Sequence, residues 1–317
     1  MTQASGAQVL VVGDANVDLV LRGDVVPRFG QAEQLLDQAS LVLGGSASIV
    51  ASGLAKLGVD TALSAVVGDD RFGAVVREAL EASGVRPDAL LIRPGEPTGL
   101  TVILSQPQDR SILTMPGTVP LLRARDVRAS VEALSPGHIH FASYFLLPEF
   151  GAELPGLLDW LRQRGVLTSL DTNWDPAEKW RGLPEVLPLV DLLLPNREEL
   201  VGIARRLGFD FDRDEAAALE IAKLGPRVVV KAGNEGGWSI AADGVVERAA
   251  ADPIQVVDTT GAGDSFDAGY LAACIHGVSI EGDRLRWATV AGSLSTLHAG
   301  GTAGQPTLQE LRRITGS

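Results

Sequence analysis

The chain alternates short apolar runs with longer amphipathic stretches. The apolar runs cover residues 9–12, 62–67, 138–141, 167–170, 192–194 and 228–230. Runs that are this short and this apolar are typical of strands buried on both faces, as in a parallel sheet covered by helices. The pattern therefore predicts an α/β protein with a mostly parallel central sheet.

Polar residues or glycines follow several of these runs. They are Gly13-Asp14, Gly68-Asp69-Asp70, Asp171-Thr172-Asn173, Asn196 and Lys231-Ala232-Gly233. Ligands of open α/β sheets bind outside the carboxyl ends of the strands. We therefore expect these residues to be candidates for one shared site.

Two segments, residues 19–43 and 98–116, are richer in alternation and turn residues than in helical period. The break at residues 106–109 predicts a hairpin turn. We interpret both segments as an accessory β layer. Because no linker, repeat or low-complexity tract is present, residues 1–317 are predicted to form a single domain with this β lid inserted.

The strongest chemical signal is the stretch DTTGAGDSF at residues 258–266, which a helical pattern follows. Gly261, Ala262 and Gly263 carry little or no side chain, so their N–H groups can approach a phosphate at the start of that helix. Asp264 comes next, where it could accept the proton of a hydroxyl that attacks a γ-phosphate. The alternative is a glycine-rich loop with an aspartate cap.

Three further motifs each have a chemical and a purely structural interpretation. Asn196 and Glu199 could orient Mg²⁺ mostly through water, or could only cap a helix with the same spacing. The glycines that follow Lys231 could lie close to an adenosine or form a plain turn. Asn16 and Asp18 share one face of an extended segment and suit the hydroxyls of a polyol, or could be an Asx-rich loop.

A last motif, Gly44-Gly45, leads into a helix with Val50, Leu54 and Leu57 inward. Together and in this order, the motifs resemble the ribokinase-like (PfkB-type) carbohydrate kinases over nearly the whole chain. Both family signatures are visible: this glycine turn and the highly specific DTTGAGDSF stretch. The resemblance implies a ribokinase-like three-layer sandwich with a small β-sheet lid. It also implies an ATP-dependent sugar kinase that uses Mg²⁺, and it leaves a homodimer through the lid open.

The resemblance assigns a role to each motif. The implied general base is Asp264, and the implied anion hole comprises Gly261, Ala262 and Gly263. Residues expected to hold the sugar are Asn16, Asp18, Gly44, Gly45, Asn173 and Arg110. Residues expected along the nucleotide are Asn196, Lys231, Gly233, Gly236, Gly261, Gly263 and Thr289. Asn196 and Glu199 would serve Mg²⁺, and Asp258 and Thr260 belong to a loop that binds a monovalent cation in many members, so K⁺ stays open.

Two departures from the family pattern bear on the substrate. Ile49 stands where family members often carry an Asn that helps to hold the sugar. Asp175 stands where fructokinase-like members often carry Arg, so a phosphorylated or acidic acceptor is not expected. We expect a small neutral sugar, phosphorylated on a primary hydroxyl.

Other functions fit the sequence less well. A dehydrogenase would need a GxGxxG fingerprint after the first strand, and no lysine follows a glycine as a P-loop requires. A nucleoside kinase of the same fold is the main alternative, although the lid offers only Phe29 for stacking a base. A non-catalytic sugar sensor could lose Asp264, which is intact here.

Composition limits the remaining choices. The net charge of -13 argues against a nucleic-acid partner, so an anion must be bound locally by backbone N–H groups and cations. The single Cys274 excludes an internal disulfide framework and fits a reducing compartment. The N-terminus has neither a basic region nor a long apolar run, so we expect a cytoplasmic protein without a membrane partner.

Overall fold

A computed structural model describes residues 7–31, 33–106 and 110–316 of the chain. Its strands are β1 (Val9–Val12), β2 (Asn16–Gly23), β3 (Leu36–Gly44), β4 (Thr61–Ser64), β5 (Val66–Gly68), β6 (Leu91–Arg93), β7 (Gly99–Ser105), β8 (Arg110–Met115), β9 (His138–Phe141), β10 (Leu167–Leu170), β11 (Leu192–Leu193), β12 (Arg227–Lys231), β13 (Gly237–Ile240) and β14 (Val246–Ala249). Its α-helices are α1 (Ser46–Lys56), α2 (Arg71–Ala82), α3 (Ala124–Leu134), α4 (Pro148–Arg162), α5 (Leu183–Val186), α6 (Arg197–Arg206), α7 (Asp214–Ala222), α8 (Ala262–Ile275), α9 (Glu281–Ser295) and α10 (Leu308–Thr315).

The main sheet has the strand order β14-β13-β12-β11-β10-β9-β1-β4. The strands β4, β1, β9, β10, β11 and β12 lie side by side in this order and pair in parallel. The strand β13 pairs antiparallel with β12, and the edge strand β14 pairs antiparallel with β13. The prediction of a mostly parallel central sheet is confirmed. The pattern of apolar runs did not indicate β13 and β14.

Separate clusters of buried apolar residues lie on the two faces of this sheet. In β1, Leu10 and Val12 belong to the core that contains residues of α3, α4, α6 and α7, while Val9 and Val11 belong to the core with α1, α8 and α9. Successive side chains of a strand point to opposite faces, and both faces are buried here, so each residue of β1 must be apolar. The result is a three-layer α/β sandwich.

The lid is a separate sheet of four strands in the order β3-β2-β7-β8. Strand β2 starts at Asn16, three residues before the lid segment expected from the sequence, and β8 ends at Met115. The first residues of β2 therefore connect the polar residues after β1 with the lid. Most of the hairpin turn expected at residues 106–109 lies outside the described residues.

The apolar run at residues 62–67 does not form one strand. It divides at Ala65 into β4 of the main sheet and β5, which forms a two-stranded sheet with β6. The polar residues after it were expected to join the shared site, and this prediction is wrong. Asp70 instead caps α2 through the N–H of Gly73 (2.8 Å) and accepts the Thr98 hydroxyl (2.7 Å).

Within the described part of the chain, no helix has both the length and the apolar character needed to cross a bilayer.

Candidate active site

Three cavities follow one another along the carboxyl ends of the parallel strands. The lid cavity lies under β2, β7 and β8 and has a volume of about 210 Å³. The central cavity, beside the start of α6, measures about 460 Å³, and the edge cavity, between β12 and α9, about 550 Å³. Asp264 and Gly261 line both the lid and central cavities, and Gly263 lines both the central and edge cavities.

Asp264 lies in the first turn of α8, at the junction of the lid and central cavities. Its Oδ1 accepts the hydroxyl of Ser46, which is the first residue of α1. Removal from bulk water raises the pKa of Asp264 to about 7, and Asp171 and Asp14 also raise it against the lowering effects of Ser46 and Lys231. A carboxylate with this pKa can take up a proton near neutral pH.

The turn before Asp264 has the geometry of an anion site. Gly261 has φ +72°, and a Cβ there would lie 2.7 Å from the Cα of Gly301, so only glycine fits. Ala262 and Gly263 are the first two residues of α8, where helix N–H groups lack intrahelical acceptors and the helix dipole favours negative charge. The structure thus brings the predicted anion hole and Asp264 together.

Asn16 and Asp18 lie on one face of β2, as expected, and line the lid cavity. The Asn16 amide donates to Asp18 Oδ1 (2.9 Å) and to the Thr101 hydroxyl (3.2 Å). A Cβ on Gly44 would lie 2.0 Å from Asp18 Oδ1, and one on Gly45 2.9 Å from Asn16 Oδ1. The glycine pair therefore makes room for these two polar side chains, and Gly45 itself lines the cavity.

Carboxylates and one cation share the lid cavity. Burial raises the pKa of Asp18 to about 7, with the Asn16 hydrogen bond lowering it, Asp14 raising it and Arg110 lowering it. Arg110 lines both the lid and central cavities and donates to the Thr260 hydroxyl (3.0 Å). Arg110, which the sequence predicted to hold the sugar, therefore lies where the two cavities adjoin.

Asp175 does not reach this cavity. Its carboxylate accepts the N–H groups of Ala177 (2.9 Å), Lys179 (2.7 Å) and Trp180 (2.7 Å). The expectation that it would face a substrate is wrong, because the side chain folds its own loop. It borders a cavity of about 590 Å³ between that loop and α4, which contains none of the predicted site residues.

Asn196 and Glu199 form the helix cap and also line the central cavity. Asn196 Oδ1 accepts the Glu199 N–H (2.8 Å), and Glu199 Oε2 accepts the Asn196 N–H (2.8 Å). Burial raises the pKa of Glu199 to about 7, Asp171 raises it and Lys231 lowers it. Both residues reach the central cavity, so the capping arrangement and a role toward Mg²⁺ are compatible.

Lys231 is held by two buried carboxylates at the end of β12. Its Nζ lies 2.6 Å from Asp171 Oδ2 and 3.2 Å from Asp267 Oδ2. Burial opposes the charged ammonium, but Asp171 and Asp267 raise the pKa of Lys231 above its ordinary value. The pKa of Asp171 is lowered despite burial, and burial raises that of Asp267. Asp171, at the shorter distance, is therefore the carboxylate whose charged form Lys231 stabilises most strongly.

Asn173 lies at the central cavity rather than at the lid cavity. It adopts φ +53°, and its amide donates to Ser46 Oγ (3.1 Å) while its Oδ1 accepts the Ser143 N–H (2.7 Å). It thus supports the hydroxyl that contacts Asp264. The sequence suggested a direct contact with the sugar instead.

The edge cavity brings together most of the residues that were predicted to lie along the nucleotide. The predicted residues Lys231, Gly233, Gly236, Gly263 and Thr289 all line it. Apolar residues complete the wall: Pro253, Ile254, Val256 and Phe266. A cavity with a mostly apolar wall and a few polar groups is typical of ligand sites.

The residues present fit Mg²⁺ only together with a bound ligand. The described residues hold no group of three or more His, Cys, Asp and Glu side chains that could bind a metal alone. Mg²⁺ commonly binds through one or two carboxylates plus substrate phosphates. Asn196 and Glu199, which line the central cavity, would supply that limited contribution.

Asp258 and Thr260 do not fit a monovalent cation at the Asp258 carboxylate. Oδ1 accepts the Thr260 N–H (2.9 Å) and hydroxyl (2.8 Å), and Oδ2 accepts the Gly300 N–H (3.0 Å) and Arg22 Nη2 (3.0 Å). A carboxylate offers about four lone-pair sites. All four are used by donors of this chain.

Sequence motifs did not single out several residues that shape the site. Ser46, Thr101 and Asp267 contact predicted residues, yet they reach the site from different elements. Asp171 was noted only as the end of a strand. A polar residue within an otherwise apolar helix face is the one signal that could have indicated Asp267, which is fully buried in α8.

Comparison with known proteins agrees with the fold. A family model described as pfkB family carbohydrate kinase matches residues 7–308. A ribokinase of Arabidopsis thaliana is 27% identical in sequence, over 98% of this chain and 82% of the length of that ribokinase. A nucleoside kinase of Methanothermobacter thermautotrophicus is 26% identical over 86% of this chain and 84% of its own. The structure of Arabidopsis thaliana ribokinase complexed with ribose and ATP superposes with a TM-score of 0.83 at 26% identity, over 98% of this chain and 99% of that one. The chain therefore belongs to the pfkB family of carbohydrate kinases.

Proposed function

We propose that this protein transfers the γ-phosphate of ATP to a hydroxyl of a small neutral sugar, with Asp264 as the general base. The observation that carries the proposal is the position of Asp264 and the Gly261–Gly263 turn at the junction of the lid and central cavities. A solved relative, the Arabidopsis ribokinase, binds ribose and ATP. By this analogy the sugar occupies the lid cavity, the phosphates the central cavity and the adenosine the edge cavity.

The reaction needs only a positioned base and charge stabilisation. The acceptor hydroxyl gives its proton to an Asp264 carboxylate oxygen while its oxygen forms a bond to the γ-phosphorus. The bond from that phosphorus to the bridging oxygen breaks, and ADP leaves with the electron pair. The N–H groups at the start of α8 would stabilise the negative charge on the phosphoryl group that is transferred. Mg²⁺ on the nucleotide would neutralise part of the phosphate charge, beside Asn196 and Glu199.

Two properties of the lid cavity favour a small neutral acceptor. At about 210 Å³ its volume is less than half that of the edge cavity, at about 550 Å³. Its polar wall includes Asp14 and Asp18. Above neutral pH, where Asp18 with its pKa of about 7 is ionised, an anionic acceptor would meet this charge at a cost of several kcal/mol in a site with little water. Because Arg110 lines the same cavity, the case against an acidic acceptor depends on the ionisation of Asp18.

A nucleoside is the second candidate acceptor, because part of the lid cavity is apolar. Ile49, Ile112, Met115 and Leu146 line it, and one relative is named nucleoside kinase. However, no aromatic side chain is among its described lining residues, and Phe29 is 99% exposed in the loop after β2. A base would have no ring to stack on there.

An acceptor panel tests the proposal directly. Purified protein with Mg-ATP is assayed by ADP release against hexoses, pentoses, sugar acids, phosphosugars and nucleosides. We expect the highest kcat/KM with a neutral sugar that has a free primary hydroxyl, because that hydroxyl reaches furthest toward Asp264 with the least crowding. A clear preference for a phosphosugar, a sugar acid or a nucleoside would overturn the assignment of the acceptor. Arg110→Ala, assayed in parallel, should then lose that preference if the acceptor is acidic.

A further inference from the structure

An arginine of the lid contacts the loop that leads into the anion hole. Arg22, near the end of β2, places Nη2 3.0 Å from Oδ2 of Asp258. The residues lie 236 positions apart in sequence, and the Asp258 side chain is only 8% exposed. The ladder between β2 and β3 shifts register directly after Arg22. The lid and the loop that leads into the anion hole are thus joined by a largely buried ion pair.

Asp258 organises the turn on which the anion hole depends. It accepts both the N–H and the hydroxyl of Thr260, which directly precedes Gly261. Through Gly300 it also holds the loop after α9, whose next residue packs against Gly261. Although burial alone would raise it, the pKa of Asp258 is lowered by the Gly300 and Thr260 donors and by Arg22. The carboxylate therefore stays charged and needs a positive charge close by.

We infer that Arg22 is a positioning residue whose guanidinium supplies that charge, in the place of a monovalent cation, and so links the lid to the anion hole. All four lone-pair sites of Asp258 are used, one of them by Arg22 itself. The carbonyl of Thr296 is likewise engaged, by the N–H groups of Val257 (2.9 Å) and Asp258 (3.1 Å). A cation at Oδ2 would have to displace the guanidinium or lie against it, where like charges repel.

The inference rests on the proposed function in that the anion hole is taken to bind the phosphates of ATP. Its consequence is that the wild-type protein works without K⁺. When Arg22 is replaced by Ala, Asp258 keeps its charge but loses its counter-charge, and a small cation can then enter. A guanidinium ion is the closest replacement for the missing group.

The test measures ATP affinity by calorimetry, and kcat with the best acceptor, in chloride salts of K⁺, Na⁺ and choline at constant ionic strength. We expect the wild type to give the same values in all three salts. Arg22→Ala in choline should bind ATP about tenfold more weakly or worse, as for loss of a charge-assisted hydrogen bond, and K⁺ or millimolar guanidinium should restore binding. Arg22→Lys should retain more affinity than Arg22→Ala.

The matched control is Arg28→Ala, another lid arginine, which pairs with Asp24 on the surface and contacts no residue of the anion hole. It should behave as wild type in every salt. Activation of the wild type by K⁺ would overturn the inference, as would unchanged affinity in Arg22→Ala or a loss that no cation reverses. If no acceptor is phosphorylated, the proposed function fails, whereas the ATP-affinity arm still tests Arg22.

Discussion

Replacing Asp264 with Asn tests the central element of the mechanism with little disturbance of structure. Asn has nearly the same shape, and its amide oxygen can still accept the Ser46 hydroxyl, but it cannot take a proton from the acceptor. Loss of a positioned general base costs roughly 10² to 10⁴ in rate. Burial raises the pKa of Asp264 to about 7, which makes it a stronger base than an ordinary Asp, so we expect a fall in kcat of about 10³ or more, or about 4 kcal/mol of activation free energy.

The same substitution should leave folding intact, and the direction of its effect on stability follows from the pKa of Asp264. The folded-state pKa of Asp264 lies above its ordinary value of 3.8, at about 7, so the wild-type fold loses stability as pH rises through that interval. The amide that replaces the carboxyl group in Asp264→Asn does not titrate and avoids this loss. Above neutral pH the variant should therefore unfold at a temperature no lower than wild type, measured by circular dichroism without ligands.

The assay is steady-state ADP release with the best acceptor, together with ATP binding by calorimetry. Asp283→Asn is the matched control, because Asp283 also lies in the first turn of a helix, α9, but is exposed. It should retain wild-type kcat. A kcat for Asp264→Asn close to wild type, with ATP affinity unchanged, would show that Asp264 is not the base.

Three further measurements examine Asp264 and the residues around it. The kcat/KM for the acceptor should rise as pH increases through about 7, because Asp264 has a pKa of about 7 and must be ionised to accept the proton; a profile that is flat through neutrality would contradict this. Asp18→Ala should raise KM for the acceptor far more than KM for ATP, and equal effects on both would remove Asp18 from the acceptor site. Lys231→Met should lower the free energy of unfolding by about 3 kcal/mol, because it leaves Asp171 buried without its cation. The exposed Lys223→Met should not, and equal losses in a denaturant titration would show that the buried pair is not the cause.

The pattern of apolar residues predicted those strands that are buried in the same way along their whole length. β1, β9 and β10 coincide with their apolar runs because both faces of each are buried along nearly the whole length. The run at residues 62–67 failed because all its side chains are buried although the chain changes sheet at Ala65. Hydrophobicity reports burial, not which strand is the partner.

The candidate site was predictable where one continuous motif carries it. The Gly261–Asp264 segment is continuous in sequence and lies at the start of α8, so its motif could be recognised without knowledge of the fold. Ser46 and Asp264, by contrast, meet across 218 residues, and Lys231 and Asp171 across 60. The prediction for Asp175 was wrong because its contacts are local. Its N–H partners lie within five residues, and an acidic side chain in a motif looks the same whether it faces a ligand or its own loop.

The charges around the central cavity explain how a protein with a net charge of -13 could bind polyphosphate. Lys231 is paired with Asp171, and Arg197 with Glu235 and Asp214. The cationic side chains beside the cavity are thus largely balanced by carboxylates already, and Arg110 contacts the turn through the Thr260 hydroxyl. Attraction for phosphate must then come mainly from the N–H groups at the start of α8 and from Mg²⁺ carried by the nucleotide. Because backbone N–H groups act only when correctly oriented, the proposed mechanism would depend on how Asp258 and Arg22 hold the turn.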